Sequence, residues 1–274
     1  MISNSENRAL GEAGFIPGPS ELEKDFIKRI HLLKKQTPTL LEERGYELLI
    51  CNFHDLGAKP NWIPLIYSNR RLLPWQGAAS WVITTPEGMV FPLVQLRKGF
   101  RKGRFLFNDR DEVLRHEALH AMRVTFNEPR FEEILAYFHA KKKWKQFLGP
   151  LFRKPSQVCI FLSLVFLALG VQATALIFCS SFCLLCSNIA TSLPLVDLFF
   201  RLISLMKDRK VLAKSFDALR TLFPKEKTPF AIAIRLKDSE IQMFATKPLR
   251  ELLLYIKQHS SSSLRWRQIL AQFS

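Results

Sequence analysis

The sequence predicts an α+β protein in three parts. A compact domain of helices and a small sheet comes first, then an α-helical membrane hairpin, then a small α+β tail. Three observations predict this. Two β-rich runs near residues 80 to 96 precede a strongly capped helix. The stretch from Gln157 to Leu195 carries no charged residue. After it, the chain returns to short apolar runs broken by polar turns.

Residues 1–19 are polar and contain Gly and Pro, which reads as a flexible lead-in with no signal peptide. Ser20 and Glu23 have the spacing of a capping box and open a helix to about Lys35. Leu40 to Ile50 reads as a second helix or a helix-strand element, and Asn61 to Leu73 as loop with a short strand. Ser80 to Thr85 is β-branched and aromatic, Pro86-Glu87-Gly88 is a turn signal, and Met89 to Leu96 is a second apolar run. Pro92 demotes that second strand to an edge or a bulge. An edge strand there could take an extended peptide by strand addition. Roughly 150 residues precede the apolar stretch, enough for one core, so residues 20–150 read as one domain.

Within this domain stands His116-Glu117-Ala118-Leu119-His120. Residues four apart lie on one helix face, about 6 Å apart along the axis. Two imidazoles at that spacing can grip one metal ion, and Glu117 can act as general base toward a water. The flanks favour a buried helix. Asn108 and Asp109 are natural N-caps, Asp111 and Glu112 suit the positive end of the dipole, and Ala118, Leu119, Ala121 and Met122 are apolar or small. A third ligand is needed. Pro129 fits the first turn of a following helix, which a short connection would fold back past the first. On that helix Glu132, Glu133 and His139 could reach the metal.

These motifs resemble the zincin metallopeptidases, specifically the Glu-zincin branch. Val113 precedes the first histidine by three, and Glu133-Ile134-Leu135-Ala136 matches the Glu-x-x-Ala of that branch. The metzincin extension is absent, since no Gly-x-x-His follows His120. The resemblance covers roughly residues 80 to 140. It implies a zincin-like fold and Zn²⁺ held by His116, His120 and Glu133, with Glu132 in reserve. It also implies hydrolysis of peptide bonds with Glu117 as base. Tyr137 and His139 are candidates to stabilise an oxyanion; Tyr137 lies four after Glu133 on the same face. Arg123 would pair with Glu132 or a substrate carboxylate, or stay solvated.

The uncharged stretch is about twice the ~20 residues one membrane span needs. Residues 156–206 therefore read as a hairpin. Its spans are Ser156 to Val171 and Ala175 to Leu193, with a break at Gly170 to Thr174 and Pro194 ending the second. Leu195 to Met206, with Asp197 and Arg201 one turn apart, reads as an interfacial helix; a re-entrant hairpin is the runner-up. Basic residues flank both ends: Lys141, Lys142, Lys143, Lys145, Arg153 and Lys154 before, and Lys207, Arg209, Lys210, Lys214 and Arg220 after. Both flanks should then be cytoplasmic, in a membrane like the bacterial inner membrane.

The net charge of +16 and pI near 9.9 suit contact with anionic lipid head groups, and no nucleic-acid-binding motif accompanies them. Of five cysteines, Cys159, Cys179, Cys183 and Cys186 lie in the apolar stretch as small fillers, and only Cys51 lies elsewhere. No disulfide framework exists. Residues 207–274 form the tail: a helix over Ser215 to Leu222, a hairpin of Phe230 to Leu236 with Ile241 to Ala245, then a helix from Thr246 to about Gln258. The expected activity is an integral-membrane zinc peptidase acting on a peptide or protein. The rival is a non-enzymatic membrane scaffold with a structural or incidental motif.

Overall fold

The computed structural model describes residues 2–50, 54–73, 76–84, 88, 90–178, 180–225 and 229–274. The expected turn at Pro86-Glu87, and Met89, Cys51 and Cys179, lie outside the described residues.

Helix α1 (Asn4–Glu12) and helix α2 (Glu23–Arg44) lead into strands β1 (Glu47–Leu48), β2 (Pro64–Tyr67), β3 (Ala78–Thr84) and β4 (Val90–Leu96). A two-residue ribbon follows, β5 (Arg104–Phe105) with β6 (Asn108–Asp109), and then helices α3 (Arg110–Met122), α4 (Pro129–Ala136) and α5 (Lys143–Leu148). Two long helices come next, α6 (Pro155–Phe178) and α7 (Ser181–Leu222), then α8 (Pro229–Ala233), α9 (Asp238–Thr246), α10 (Leu249–Ser262) and α11 (Leu264–Phe273). The fold class is thus helices with one small mixed sheet and two long apolar helices.

The sheet runs in the order β1-β2-β4-β3, with β2 and β4 parallel and the other pairs antiparallel. Strand residues alternate between faces. Val94 and Leu96 are buried in the core that includes Ala118, Leu119 and Met122 of α3. Phe91 is buried on the opposite face with Phe26, Ile30 and Leu33 of α2. The sheet is therefore covered by α3 on one side and α2 on the other. Ser80 pairs with Val94, so it faces α3.

Pro92 does not mark an edge. β4 is interior and β3 is the edge strand. The proline is tolerated because the parallel pairing with β2 begins only at Val94, two residues further on.

The lead-in carries a helix packed on the rest of the chain. Ser3 and Glu6 form a reciprocal capping box on α1, and α1 packs against α11. Gln268 donates to the carbonyls of Asn7 and Phe15. The capping box expected at Ser20 and Glu23 does not form; α2 starts from Leu22 with no side-chain cap and runs on past Lys35 to Arg44.

Helices α6 and α7 are long and apolar enough to cross a membrane, and most of their surface is left uncovered by the protein. They pack side by side, with Gln172 bonding Thr191 at 2.9 Å. The break expected at Gly170 to Thr174 is absent: α6 runs through these residues to Phe178, and Thr174 returns its hydroxyl to the Gly170 and Val171 carbonyls within it. Pro194 likewise sits inside α7. Leu195 to Met206 is part of that helix, and Asp197 and Arg201 form an i,i+4 pair on it rather than defining a separate interfacial helix. At 42 residues α7 is about 63 Å long, twice a hydrocarbon core. Its second half, with Leu205, Leu212, Phe216 and Leu219, is buried in the main core.

The tail is helical throughout the described residues. Phe230 to Leu236 and Ile241 to Ala245 are not a β-hairpin. Residues 229–236 are all buried, and a short run that is apolar on every side does not distinguish strand from helix. Arg123 explains how it ends. Its guanidinium, 1% exposed, donates to the carbonyls of Ile234 at 2.6 Å and Leu236 at 3.1 Å, so the solvated arginine of the sequence reading is instead a buried peg between α3 and the tail. Asp238 caps α4 by accepting from the Arg130 amide at 2.9 Å. Asp208 of α7 accepts from Arg130 at 2.7 Å and from Arg153 at 2.6 Å. These bonds bind the tail, helices α3 and α4 and the foot of α6 together.

A second buried charge organises the tail itself. Glu240, 2% exposed, accepts from two Arg265 nitrogens, Trp266 Nε1 and the Tyr255 hydroxyl, each at 2.8 Å. Burial alone would raise its pKa, but the Arg265 guanidinium outweighs it and holds the carboxyl below 4.5. A depressed carboxylate contributes stability above its unfolded pKa and loses it as pH falls through the folded one. Thermal unfolding in detergent should therefore shift down as pH drops below about 4.5. Glu240→Gln should cost about 3–5 kcal/mol at neutral pH, because it strands a buried guanidinium. An unchanged melting temperature in that variant would refute the assignment.

Candidate metal centre

The site begins with the caps of α3. Asp109 accepts from the Asp111 amide at 3.0 Å and starts the helix. This phase buries Leu114, Glu117, Ala118 and Leu119 and turns His116 and His120 toward α4. Pro129 sits in the first turn of α4. Its apolar face, Phe131, Ile134 and Leu135, enters the core, which leaves Glu132 and Glu133 facing the histidines.

The donors converge. His116 Nε2 and His120 Nε2 are 3.2 Å apart. Glu133 Oε1 is 3.4 Å from His120 Nε2, and Glu133 Oε2 is 3.7 Å from His116 Nε2. Ligands at 2.0–2.1 Å on tetrahedral axes stand about 3.3–3.4 Å apart, so the two imidazole nitrogens and the two Glu133 oxygens stand at spacings close to those of one coordination sphere. His116, His120 and Glu133 are the one such group of three among the described residues.

The neighbours fix the ring orientations. His120 Nδ1 lies 2.6 Å from Glu132 Oε1, which leaves Nε2 for the centre. Glu132 is thus a partner of a candidate ligand rather than one of the three converging groups, and it also stands 3.9 Å from Arg123 Nε. His116 bonds the Ala136 backbone. Burial and the His120 charge lower the pKa of His116. Burial pulls His120 down as well, but Glu132 and Glu133 outweigh it and raise its pKa well above the ordinary value. Burial pushes Glu133 up, and its bond to His120 with the charges of both histidines brings it below normal. The pocket is thus negative enough to hold a proton on His120 when no other cation is present.

Glu117 is 8% exposed and enters the same cleft. Ser80 Oγ donates to Glu117 Oε2 at 2.7 Å, with the Glu117 carbonyl 3.1 Å away. Sequence reasoning did not single out Ser80. Its only signal is register: a small hydroxyl at an inward position of the strand beside the motif helix.

No family model, curated protein or solved structure matches the chain.

Tyr137 follows the last turn of α4, and its ring meets the His116 ring edge-on at 4.5 Å. Burial and the carboxylates of Glu133, Glu117 and Glu112 push its pKa up to about 12, so it keeps its proton. Gly149 is needed here, since a Cβ would stand 2.5 Å from the ring. His139 is not brought to the centre. It lies 3.3 Å from Asp55 and packs edge-on against Phe230, and burial lowers its pKa.

Two cavities meet at the centre. A cleft of about 710 Å³ is walled by Ala78, Ser80 and Val82 of β3, by the donors of α3 and α4, and by Arg153. A second chamber of about 730 Å³ shares His116, Glu117 and Glu133 and runs on past Tyr137 to the foot of α6.

Replacing Glu132 with Gln is expected to weaken metal binding about ten- to a hundredfold, because the carboxylate orients a ligand. Chelator competition reads this, and an unchanged affinity would show that His120 needs no such partner.

Proposed function

We propose that the chain is an integral-membrane zinc-dependent peptidase whose active site faces the cytoplasm. The observation that carries the reading is the convergence of His116, His120 and Glu133 at coordination spacing, with the Glu117 carboxylate buried in the same cleft. Two imidazoles and one carboxylate in a tetrahedral arrangement favour zinc. The site bears no resemblance to the open carboxylate and water shells of magnesium or calcium.

A zinc ion held there supplies a Lewis acid that acidifies water and polarises a carbonyl. Glu117 takes a proton from the attacking water and delivers it to the leaving amine. Ser80 occupies one Glu117 oxygen and leaves the other to this task. Tyr137 stays protonated and can donate to the oxygen that gains charge as the carbonyl is attacked. β3 borders the cleft and has no strand on its outer side among the described residues, so an extended peptide can pair with it. The basic residues on both flanks of α6 and α7 favour a cytoplasmic site, and the contact of Arg153 with Asp208 is consistent with both flanks on one side.

Full-length protein in detergent should carry zinc in stoichiometric amount and cut members of a peptide library. Glu117→Gln should keep the zinc and lose at least about 10³-fold in kcat. Ser80→Ala should lower kcat by about 10-fold with little change in KM, since it disturbs the base rather than binding. Absence of zinc from unchelated protein would overturn the reading. Stoichiometric zinc without cleavage would favour the membrane scaffold.

A further inference from the structure

The second chamber is walled by the wrong material for a purely soluble substrate. One side is the metal group, with His116, Glu117 and Glu133. The other side is Val158, Cys159 and Leu162 from the first two turns of α6, with Phe152 and Trp144 beside them. Leu162 lies seven residues into α6, about 10 Å along the axis. The head-group layer on one side of a bilayer is about 5–8 Å thick. The chamber wall thus climbs from the donors to the edge of the hydrocarbon.

Helix α5 marks the same level. Trp144, Phe147 and Leu148 are 57%, 40% and 45% exposed, and exposed lysines precede them. Aromatic rings with lysines beside a membrane helix belong at the lipid–water interface. Trp144 of this belt lines the chamber together with Val158, Cys159 and Leu162 at the foot of α6.

We propose that the substrates are membrane-anchored polypeptides cut just outside the bilayer, with the apolar segment next to their membrane anchor seated in this chamber. This rests on the peptidase reading for the cut, though not for the docking. The occupant follows from continuity: an anchored chain leaves the hydrocarbon at the height of Leu162 and reaches Glu117 through a chamber that Val158, Phe152 and Tyr137 line together with the charged Lys145 and Arg153. The cleft under β3 receives the polar remainder.

The test uses full-length Glu117→Gln protein in phospholipid vesicles, with photo-reactive p-benzoylphenylalanine at Val158 or, in a second variant, at Leu162. One probe is a transmembrane helix carrying a randomised cytoplasmic juxtamembrane segment. The other is the same randomised segment as a soluble peptide. Crosslinking to the anchored probe should exceed that to the soluble one at least about tenfold, an anchored chain having the higher effective concentration. Ile160, 53% exposed and on the face of α6 opposite Val158 and Leu162, controls for mere residence in the same membrane and should give little crosslinking to the anchored probe. Crosslinks to lipid alone from Val158 and Leu162 would overturn the proposal by showing an acyl chain in the chamber. Equal crosslinking of the anchored probe from all three positions would overturn it too. Wild-type cleavage is read in parallel. Cleavage without chamber crosslinks refutes the docking and leaves the peptidase standing, and crosslinks without cleavage do the reverse.

Discussion

The constraint on which the rest of the structure depends is electrostatic. Three carboxylates, Glu117, Glu132 and Glu133, and two histidines are gathered in one largely buried pocket between α3 and α4. Charges so placed are expensive unless paired. Each has a partner: Glu117 has Ser80, Glu132 has His120, and Glu133 stands between both histidines. Two partners lie on neighbouring elements, so the edge strand β3 and the helix α4 are held in register with α3 by the groups that form the site. A cation at the centre would relieve the remaining negative charge. The same set of bonds holds β3, α3 and α4 together and builds the candidate site.

The second organising contact is Asp208, nearly buried on α7, which holds Arg130 of α4 and Arg153 at the foot of α6. Arg130 is two residues before Glu132, and Arg153 lines the cleft. The two apolar helices and α4 therefore share one ion cluster. Tilting α6 against α7 would pull on the cluster beside two of the three acidic groups. The apolar helices are joined to the site by more than a linker.

Part of this was legible in the sequence, for physical reasons. The i,i+4 histidines, the Asp109 cap and Pro129 act within one or two turns of helix, so local patterning exposes them. An uncharged run of some 40 residues has few alternatives to a pair of apolar helices. The rest depended on distant partners. Pro92 looked like an edge residue because the end of β2 cannot be seen from β4. Phe230 to Leu236 looked like a strand because Arg123, more than a hundred positions away, supplies the carbonyl partners that end a buried helical turn. Gly170 looked like a break because glycine weakens a helix in water, whereas a backbone that leaves water must satisfy its own polar groups and stays helical. The lead-in looked flexible, although Ser3 and Glu6 carry the spacing of a capping box. What was missing was the Gln268 side chain, near the other end of the chain, that makes α1 worth ordering. Ser80 was missed because a hydroxyl on a strand has no signature until register says which way it points.

These long-range partners change how the molecule divides. One buried cluster joins Ile16, Leu65 and Ala118 to Leu212, Phe230 and Phe273. The residues before the apolar hairpin and those after it thus form one core, and the hairpin is an insertion whose two ends return to the same place. An insertion of that kind brings the foot of α6 beside the metal group without a hinge. It also means that the donors of α3 and α4 cannot be expected to hold their spacing in a fragment that ends before α6, because Arg123 and Arg130 would lose the carbonyls and carboxylates that fix them. The centre is a property of the whole chain rather than of its first half.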